Sequence, residues 1–271
     1  MIKLNGAELS FKTFPNGETL MNGDELSANV HANNSIVWRY GNDGDLIKLM
    51  FVKRYLDERR ASCSLTILYM PYSRMDRVEG ASAFTLKYVA SFINSLQFEA
   101  VKVIEPHSDV TLALLDRSTA VYPTLELLER VEAETGFDRG RDYLFFPDAG
   151  AQKRYGKTSG YKQLVGFKSR DFATGEIKGL EIVGAAGDPP FHAIIVDDLC
   201  SYGGTFLRSA EKLKEIGAER IYLLVTHCEK SVFKGRLLES GLVDKVFTTD
   251  TMLDEAGHER IRLFESGGLL I

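Results

Sequence analysis

Short apolar runs alternate along the chain with longer segments whose apolar residues recur at helical spacing. The runs Leu65–Met70, Val101–Ile104 and Tyr143–Phe146 are typical of buried parallel strands, which are apolar on both faces. Between them lie amphipathic segments such as Ala83–Leu96, which presents one apolar stripe and is predicted to form a helix. The chain therefore reads as a repeated strand–helix sequence.

The same pattern extends through most of the 271 residues. Further strands are predicted at Ser35–Arg39, Leu164–Phe167, Leu180–Val183, Ala193–Val196, Ile221–Thr226, Lys245–Thr249 and Ile261–Phe264, and further helices at Leu46–Arg60, Thr124–Glu134, Thr205–Ile216 and Lys230–Ser240. We expect strands and turns in residues 1–38, a connection between the halves at 112–124, and a hairpin or flap at 171–180. Right-handed strand–helix–strand connections build parallel sheets. We therefore predict an α/β fold of two Rossmann-like domains with mainly parallel sheets, residues 1–117 and 118–271.

The stretch from Ala193 to Gly217 carries the clearest chemistry. Asp197 and Asp198 follow a predicted buried strand, at the end where open α/β sheets bind ligands. Gly203 and Gly204 allow a sharp turn, and the N–H groups of the helix that follows attract phosphate. Two carboxylates beside a phosphate fit a ligand that also offers hydroxyl groups. The pattern favours a sugar phosphate over a glycine turn with no ligand.

Other polar groups also follow predicted strands. Arg74 and Arg77 flank Asp76 after one strand, and this loop is either an anion site or a solvated charged loop. His107, near acidic neighbours after the next strand, is either structural or a metal ligand. Asp148 follows a third strand. The Pro-Asn-Gly sequence at 15–17 predicts a hairpin turn.

Composition limits the class of protein. The net charge of −5 argues against an obligate nucleic-acid partner, and no apolar run is long enough to cross a bilayer. The start of the chain has no secretory signal pattern. Cys63, Cys200 and Cys228 form neither a disulfide framework nor a zinc motif. We therefore expect a soluble cytoplasmic protein.

Six motifs together resemble one enzyme family. They are FPNGE at 14–18, PYSRMDR at 71–77, EPHSD at 105–109, PDAG at 147–150, KSR at 168–170 and VDDLCSYGGT at 196–205. Their order and spacing resemble those of the ribose-phosphate diphosphokinases (PRPP synthetases), which have the fold of type I phosphoribosyltransferases. The resemblance covers most of the chain, and Thr226-His227 and Thr249-Asp250-Thr251 extend it.

The resemblance implies a role for each matching residue. Lys168 and Arg170 would be catalytic, and His107 and Asp148 would help to bind Mg²⁺. The ATP site would comprise Phe14, Asn16, Gly17, Glu18, Arg74, Met75 and Asp76. The ribose-phosphate site would comprise Asp197, Asp198, Ser201, Tyr202, Gly203, Gly204 and Thr205. In that family a neighbouring subunit lends the first loop, so a homo-oligomer is implied.

The implied reaction belongs to nucleotide biosynthesis. A ribose 5-phosphate attacks the β-phosphorus of ATP through its anomeric hydroxyl, and AMP leaves. Catalysis of such a transfer is mainly positioning and electrostatic stabilisation. Mg²⁺ neutralises the polyphosphate.

Three departures from the family pattern leave alternatives open. Ser201-Tyr202 stands where the family has Asp-Thr, and tyrosine offers a flat face for stacking. Asn16 and Met75 replace an Asp and a Gln. The alternatives are the same chemistry on an extended acceptor such as ADP-ribose, a phosphoribosyltransferase, and a non-catalytic regulatory homologue.

Overall fold

The structure, a computed structural model, describes residues 1–170, 177–184, 186–187 and 189–269, with the backbone alone described at 168–170, 177–179 and 268–269. It divides into two compact units, Met1–Tyr122 and Pro123–Ile271. The boundary predicted after residue 117 lies five residues earlier, just before a strand, Ser118–Val121, that pairs with the first unit's sheet. Among the described helices, none combines the length and the apolar character needed to span a bilayer.

The first unit has a six-stranded sheet with strand order β2-β1-β5-β6-β7-β8 and a separate hairpin of β3 and β4. Strands β5 to β8 are parallel, whereas β1 pairs with β5 in the antiparallel sense. Its elements are β1 (Ile2–Leu4), β2 (Ala7–Glu8), β3 (Phe11–Thr13), β4 (Thr19–Met21), α1 (Gly23–Asn29), β5 (Asn33–Trp38), α2 (Gly44–Glu58), β6 (Ser62–Ile67), α3 (Thr85–Ser95), β7 (Val101–Ile104), α4 (Asp109–Leu114) and β8 (Ser118–Val121).

The second unit has a seven-stranded sheet with strand order β11-β10-β9-β12-β13-β14-β15. All described neighbours in it are parallel except β10 and β11, which form an antiparallel pair. Its elements are α5 (Thr124–Thr135), β9 (Tyr143–Phe146), α6 (Ala149–Tyr155), β10 (Lys162–Arg170), β11 (Ile177–Val183), β12 (Phe191–Cys200), α7 (Gly204–Glu215), β13 (Ala218–Cys228), β14 (Lys245–Thr249) and β15 (Ile261–Phe264), with 3₁₀ turns at Lys230–Lys234 and Ser266–Leu269. The predicted class, an α/β fold with mainly parallel sheets, is confirmed.

Alternate residues of the central strands enter two different cores. Phe145 and Ile195 belong to the core on the α7 side of the second sheet, with Phe206 of that helix. Leu144 and Ile194 belong to the core on the other side. Because both faces are covered, these strands are continuously apolar rather than alternating, and for that reason the sequence reveals them.

Three predicted elements are wrong. Gly23–Asn29 forms a helix in a region predicted as strands and turns, and it buries only one residue, Leu26, so it carries little periodicity. The predicted connection at 112–124 instead contributes parts of α4 and the whole of β8. The helix predicted at Lys230–Ser240 is only a 3₁₀ turn that ends before Gly235.

Burial predicts the cost of truncating the core. Phe145 is fully buried between β9 and α7, so Phe145→Ala should lower the free energy of unfolding by about 3–5 kcal/mol. The control Phe167→Ala removes a ring that is 43% exposed and should cost on the order of 1 kcal/mol. Urea unfolding followed by circular dichroism measures both, and equal losses would contradict this account of the core.

Candidate active site

Two neighbouring strands of the second unit bring three carboxyl groups to one edge of the sheet. Strands β9 and β12 are parallel partners, so Asp148, just after β9, lies on the same edge as Asp197 and Asp198 of β12. The strand β12 continues through Cys200, four residues beyond the predicted end, because it pairs with β13 up to Cys228. The acidic pair is therefore held rigidly within a strand and not in a loop.

The surroundings of Asp197 destabilise the ionised form of its carboxyl group. Burial raises the pKa of Asp197 well above its usual range, and the adjacent charge of Asp198 raises it further, with Asp148 a smaller contributor. The Asp197 carboxyl accepts a hydrogen bond of 2.9 Å from the Asp198 N–H. Because a nearby positive charge or hydrogen-bond donor favours the charged form of a carboxyl group, a cation or hydroxyl donors would be favoured partners for this pair.

Helix α6 supplies the supporting groups. Asp148 is its N-cap, and its Oδ1 accepts hydrogen bonds from the N–H groups of Gly150 (2.9 Å) and Ala151 (3.1 Å). In the last turn of this helix, Arg154 lies 3.4 Å from Oδ2 of Asp198. The Arg154 contact could not be predicted from the sequence, because it depends on how the helix packs against β12.

The turn after β12 has a conformation that only glycine accepts at its centre. Gly203 has φ +82°, and a Cβ atom there would lie 2.7 Å from Cβ of Leu237. Gly203 is also the N-cap of α7 and has no side chain to cap it. The first N–H groups of α7 are therefore presented as a site for an anion.

Residues after β13 pack directly on this turn. A Cβ atom at Gly235 would lie 2.0 Å from the carbonyl oxygen of Tyr202, so the backbone at 235 approaches the turn too closely for any other residue. The Tyr202 side chain itself is 58% exposed.

Ser201 makes a contact that the sequence did not predict. Its hydroxyl donates a 2.6 Å hydrogen bond to Oε2 of Glu229, which follows β13. Ser231 donates to the same oxygen at 2.9 Å. A signal was present, since Glu229 lies two residues after the Thr226-His227 landmark, on the sheet edge that carries the acidic pair.

Lys168 and Arg170 lie at the end of β10, which pairs with β11 as the predicted hairpin. Lys168 is opposite Leu180 and Arg170 is opposite Ile177, with a register shift between Ser169 and Arg170. The side chains of Lys168 and Arg170 lie outside the described part of the chain, as do residues 171–176 of the predicted flap.

In the first unit, FPNGE forms the tip of the β3–β4 hairpin, as its turn sequence predicts. Phe14 donates its N–H to the Glu18 carbonyl oxygen at 2.8 Å, Gly17 has φ +91°, and the amide of Asn16 donates to the Glu18 carboxyl at 2.8 Å. Phe14, Asn16, Gly17 and Glu18 are all exposed. The hairpin thus presents an aromatic ring and polar groups to its surroundings.

The PYSRMDR loop follows β6 and is anchored at both ends. Near its start, the Tyr72 hydroxyl donates to Asp43 before helix α2. Near its end, buried Asp76 pairs with Arg77 at 2.8 Å. Burial works in the opposite direction, but hydrogen-bonding side chains, Arg77 among them, hold the pKa of Asp76 below its usual value. Between these anchors, Arg74 and Met75 are exposed, so the loop has a fixed frame that carries two exposed side chains.

His107 follows β7, where the backbone is unusual. Glu105 is fully buried with φ +41°, a rare conformation for a residue with a side chain. Its N–H bonds to the Val121 carbonyl oxygen of β8 at 2.8 Å. The strained residue sets the direction in which the chain leaves the sheet toward His107.

The described residues contain no cluster of three or more His, Cys, Asp or Glu side chains that would hold a metal ion alone. His107 and Asp148, the predicted metal ligands, belong to different units. Mg²⁺ ordinarily takes one or two protein carboxylates and completes its shell with water and substrate phosphates. The carboxyl groups of the second unit suit that kind of shared site.

Comparisons with known proteins identify relatives over most of the chain. Residues 171–263 match the model of the phosphoribosyl synthetase-associated domain family. The ribose-phosphate pyrophosphokinase of Thermococcus kodakarensis is 27% identical over 257 residues, which cover 90% of this chain and 86% of the relative. That of Vibrio parahaemolyticus is 30% identical over 206 residues, 72% of this chain and 63% of the relative. The chain thus spans less than two thirds of some of its relatives.

A solved structure has the same fold. The phosphoribosylpyrophosphate synthetase from Mycobacterium smegmatis superposes with a TM-score of 0.79, covering 97% of this chain and 87% of that one, at 19% identity. This structure confirms the expected fold, and the sequence relatives confirm the expected resemblance to the family.

Alanine substitutions at the two glycines of the turn should differ in their effect on stability. Gly203→Ala places a Cβ against Leu237 at φ +82° and should lower the free energy of unfolding by about 1–3 kcal/mol. Gly204→Ala is the matched control, because a Cβ there meets no atom within 4 Å, and it should change stability by less than about 0.5 kcal/mol. Urea unfolding compares them, and the account fails if Gly204→Ala is the more damaging.

The raised pKa of Asp197 predicts that Asp197→Asn increases thermal stability by an amount that depends on pH. A carboxyl group whose pKa is higher in the folded than in the unfolded state costs stability increasingly as pH rises from its unfolded value through its folded value. The variant should therefore raise Tm by about 2 °C or more at pH 8, and by less at pH 5.

Calorimetry in EDTA measures this difference without bound cations. Asp116→Asn, at an exposed position, is the control and should show no such pH trend. A gain in Tm that is the same at both pH values would refute the assignment of a buried, repelled charge to Asp197.

Proposed function

The chain is a homologue of the ribose-phosphate pyrophosphokinases, and from this we propose that it transfers the β,γ-diphosphate of ATP to the anomeric hydroxyl of a ribose 5-phosphate group and releases AMP. The observation that carries the proposal is the edge of the second sheet. There an acidic pair, a glycine turn and the start of α7 follow one another on β12, the arrangement that a sugar phosphate needs.

The sugar phosphate is held by the carboxyl groups of this edge and by the backbone N–H groups of the turn. Asp197 and Asp198 accept hydrogen bonds from the ribose hydroxyl groups, which relieves the repulsion between the two carboxyl groups. Residues 201–205 surround the 5-phosphate with backbone N–H groups, and the dipole of α7 favours its negative charge. The ribose is thereby oriented with its phosphate on the turn and its hydroxyls on the strand.

The transfer itself is a displacement at the β-phosphorus of ATP. The anomeric oxygen loses its proton to solvent and forms a bond to this phosphorus, the bond to the oxygen shared with the α-phosphorus breaks, and AMP leaves with the electron pair. Lys168 and Arg170 are proposed to stabilise the charge that develops on the transferred group. Their place at the carboxyl end of β10, next to the residues that connect it to β11, suits groups that come close only when substrate is bound.

The ATP site is proposed to use the exposed hairpin and the anchored loop. Phe14, Asn16, Gly17 and Glu18 from the hairpin, with Arg74, Met75 and Asp76 from the loop, contact the nucleotide. Because the hairpin tip is exposed on its own chain, it is available to a neighbouring copy. We therefore propose a homo-oligomer in which one subunit completes the ATP site of another.

Mg²⁺ is the proposed cofactor, with His107 and Asp148 as its protein ligands beside substrate oxygens. When bound, the ion neutralises the polyphosphate and polarises its phosphorus–oxygen bonds.

Use of ATP and the presence of three buried thiols, Cys63, Cys200 and Cys228, fit a cytoplasmic enzyme.

The test is AMP release from ATP that depends on added ribose 5-phosphate and Mg²⁺. Lys168→Ala should lower kcat by roughly 10²–10³-fold, the cost of losing one donor to a transition state. Lys162→Ala, on the same strand but with its ammonium group 5.5 Å from the Tyr143 ring centroid, should leave kcat nearly unchanged.

Two outcomes would favour other functions. Consumption of phosphoribosyl diphosphate with a nucleobase, in the absence of ATP, would indicate a phosphoribosyltransferase. Binding of ATP with no AMP from any ribose phosphate would indicate a non-catalytic homologue.

A further inference from the structure

The contact between Ser201 and Glu229 places a carboxyl group at the start of the proposed phosphate turn. The N–H of Glu229 donates to the Cys200 carbonyl oxygen at 2.8 Å, so the residue is fixed to the end of β12 through its backbone. Its side chain is half-buried and reaches the first residue of the turn. No motif of the proposed family function accounts for it.

Both nearby hydroxyl groups are committed to this carboxyl group. Ser201 and Ser231 each donate to the same Oε2, at 2.6 and 2.9 Å, and their oxygens are 3.1 Å apart. A serine hydroxyl has one hydrogen to donate. While both donate to Glu229, neither hydroxyl has a hydrogen for a phosphate on the turn, and each presents lone pairs to it.

The charge of Glu229 also disfavours a doubly charged phosphate on the turn. A carboxylate close to a phosphate raises the energy of the more highly charged form of that phosphate. A free phosphate monoester changes from one to two negative charges near pH 6. An esterified phosphate keeps a single charge and meets less repulsion.

Building on the proposed function, we propose that Glu229 determines acceptor specificity. It makes the turn select a singly charged 5-phosphate, such as the phosphate of an esterified ribose, over the doubly charged free monoester. Tyr202 supports this selection, because its ring is 58% exposed at the turn. It offers a flat apolar face to the group that the ester carries.

The elements that adjoin the turn carry other charged groups, which enter the comparison. Strand β12 contributes Asp197 and Asp198, helix α6 contributes Arg154, which pairs with Asp198, and helix α7 contributes Arg208. The segment after Glu229 contributes Lys230, Lys234 and Arg236, and Lys230 pairs with Asp254. The buried thiols of Cys200 and Cys228 lie opposite each other at the ends of β12 and β13. These groups also act more strongly on a doubly charged than on a singly charged phosphate. They are the same in wild type and in Glu229→Gln, so the difference between the two proteins isolates the effect of Glu229.

The experiment measures AMP release with two acceptors, ribose 5-phosphate and its methyl phosphate ester, from pH 5 to pH 8. The quantity followed is kcat/KM for ribose 5-phosphate divided by kcat/KM for the methyl ester. In the wild-type protein this ratio should fall about tenfold as ribose 5-phosphate gains its second charge, if repulsion amounts to about one pKa unit. In Glu229→Gln the ratio should stay nearly constant, because the amide keeps an acceptor oxygen for Ser201 but carries no charge.

Two variants separate charge from structure. Glu211→Gln makes the same charge change on an exposed part of α7, two turns from the phosphate turn, and should behave as wild type. Ser231→Ala removes one hydroxyl without changing charge and should keep the pH-dependent fall in the ratio. ADP-ribose, a larger ester, should lose activity in Tyr202→Ala by a larger factor than the methyl ester does.

The possible results distinguish this inference from the proposed function. A ratio that does not change with pH in the wild type, or an equal loss for both acceptors in Glu229→Gln, would overturn the specificity role while leaving the transfer activity in place. An absence of AMP from both acceptors at every pH would instead overturn the proposed function.

Discussion

Repulsion between Asp197 and Asp198 at the end of β12 is the constraint on which the second unit's site depends. Burial and the neighbouring charge both raise the pKa of Asp197, and Arg154 offsets part of the cost at Asp198. Such an arrangement persists only where the surrounding sheet is stable enough to hold it. Here β12 lies in the middle of seven strands, with cores on both faces, so the sheet supplies that stability.

The phosphate turn is held from the opposite side by residues that come much later in the chain. Gly203 contacts Leu237 and Gly235 contacts Tyr202 so closely that a Cβ on either glycine would overlap its neighbour. The turn is therefore clamped between its own strand and the segment after β13. The same packing places Glu229 next to Ser201. A substitution that moves the turn must therefore be accommodated by the segment after β13.

Which features the sequence reveals depends on the range of the interactions behind them. Tyr143–Phe146 and Lys245–Thr249 were predicted with their observed bounds, because buried parallel strands are locally apolar. The Asn16-Gly17 turn was predicted because its chemistry is also local. By contrast, β8 is a short strand of mixed polarity that depends on pairing with β7, and the Tyr72–Asp43 bond joins residues 29 positions apart. The role of Lys168 and Arg170 comes from the resemblance alone.

A network of buried hydroxyl groups supports the floor of the site at the ends of β13 and β14. The hydroxyl of Thr249 donates to the Thr226 carbonyl oxygen at 2.7 Å, and that of Thr251 lies 2.9 Å from Nδ1 of His227. Because these buried polar groups have partners, they restrict the end of β13 to one arrangement. The next residues of the chain are Cys228 and Glu229, so the network fixes the point from which Glu229 reaches the turn. The position of that carboxyl group is thus a property of the sheet edge and not of a loose loop, and this rigidity is what a residue that discriminates between phosphate charges requires.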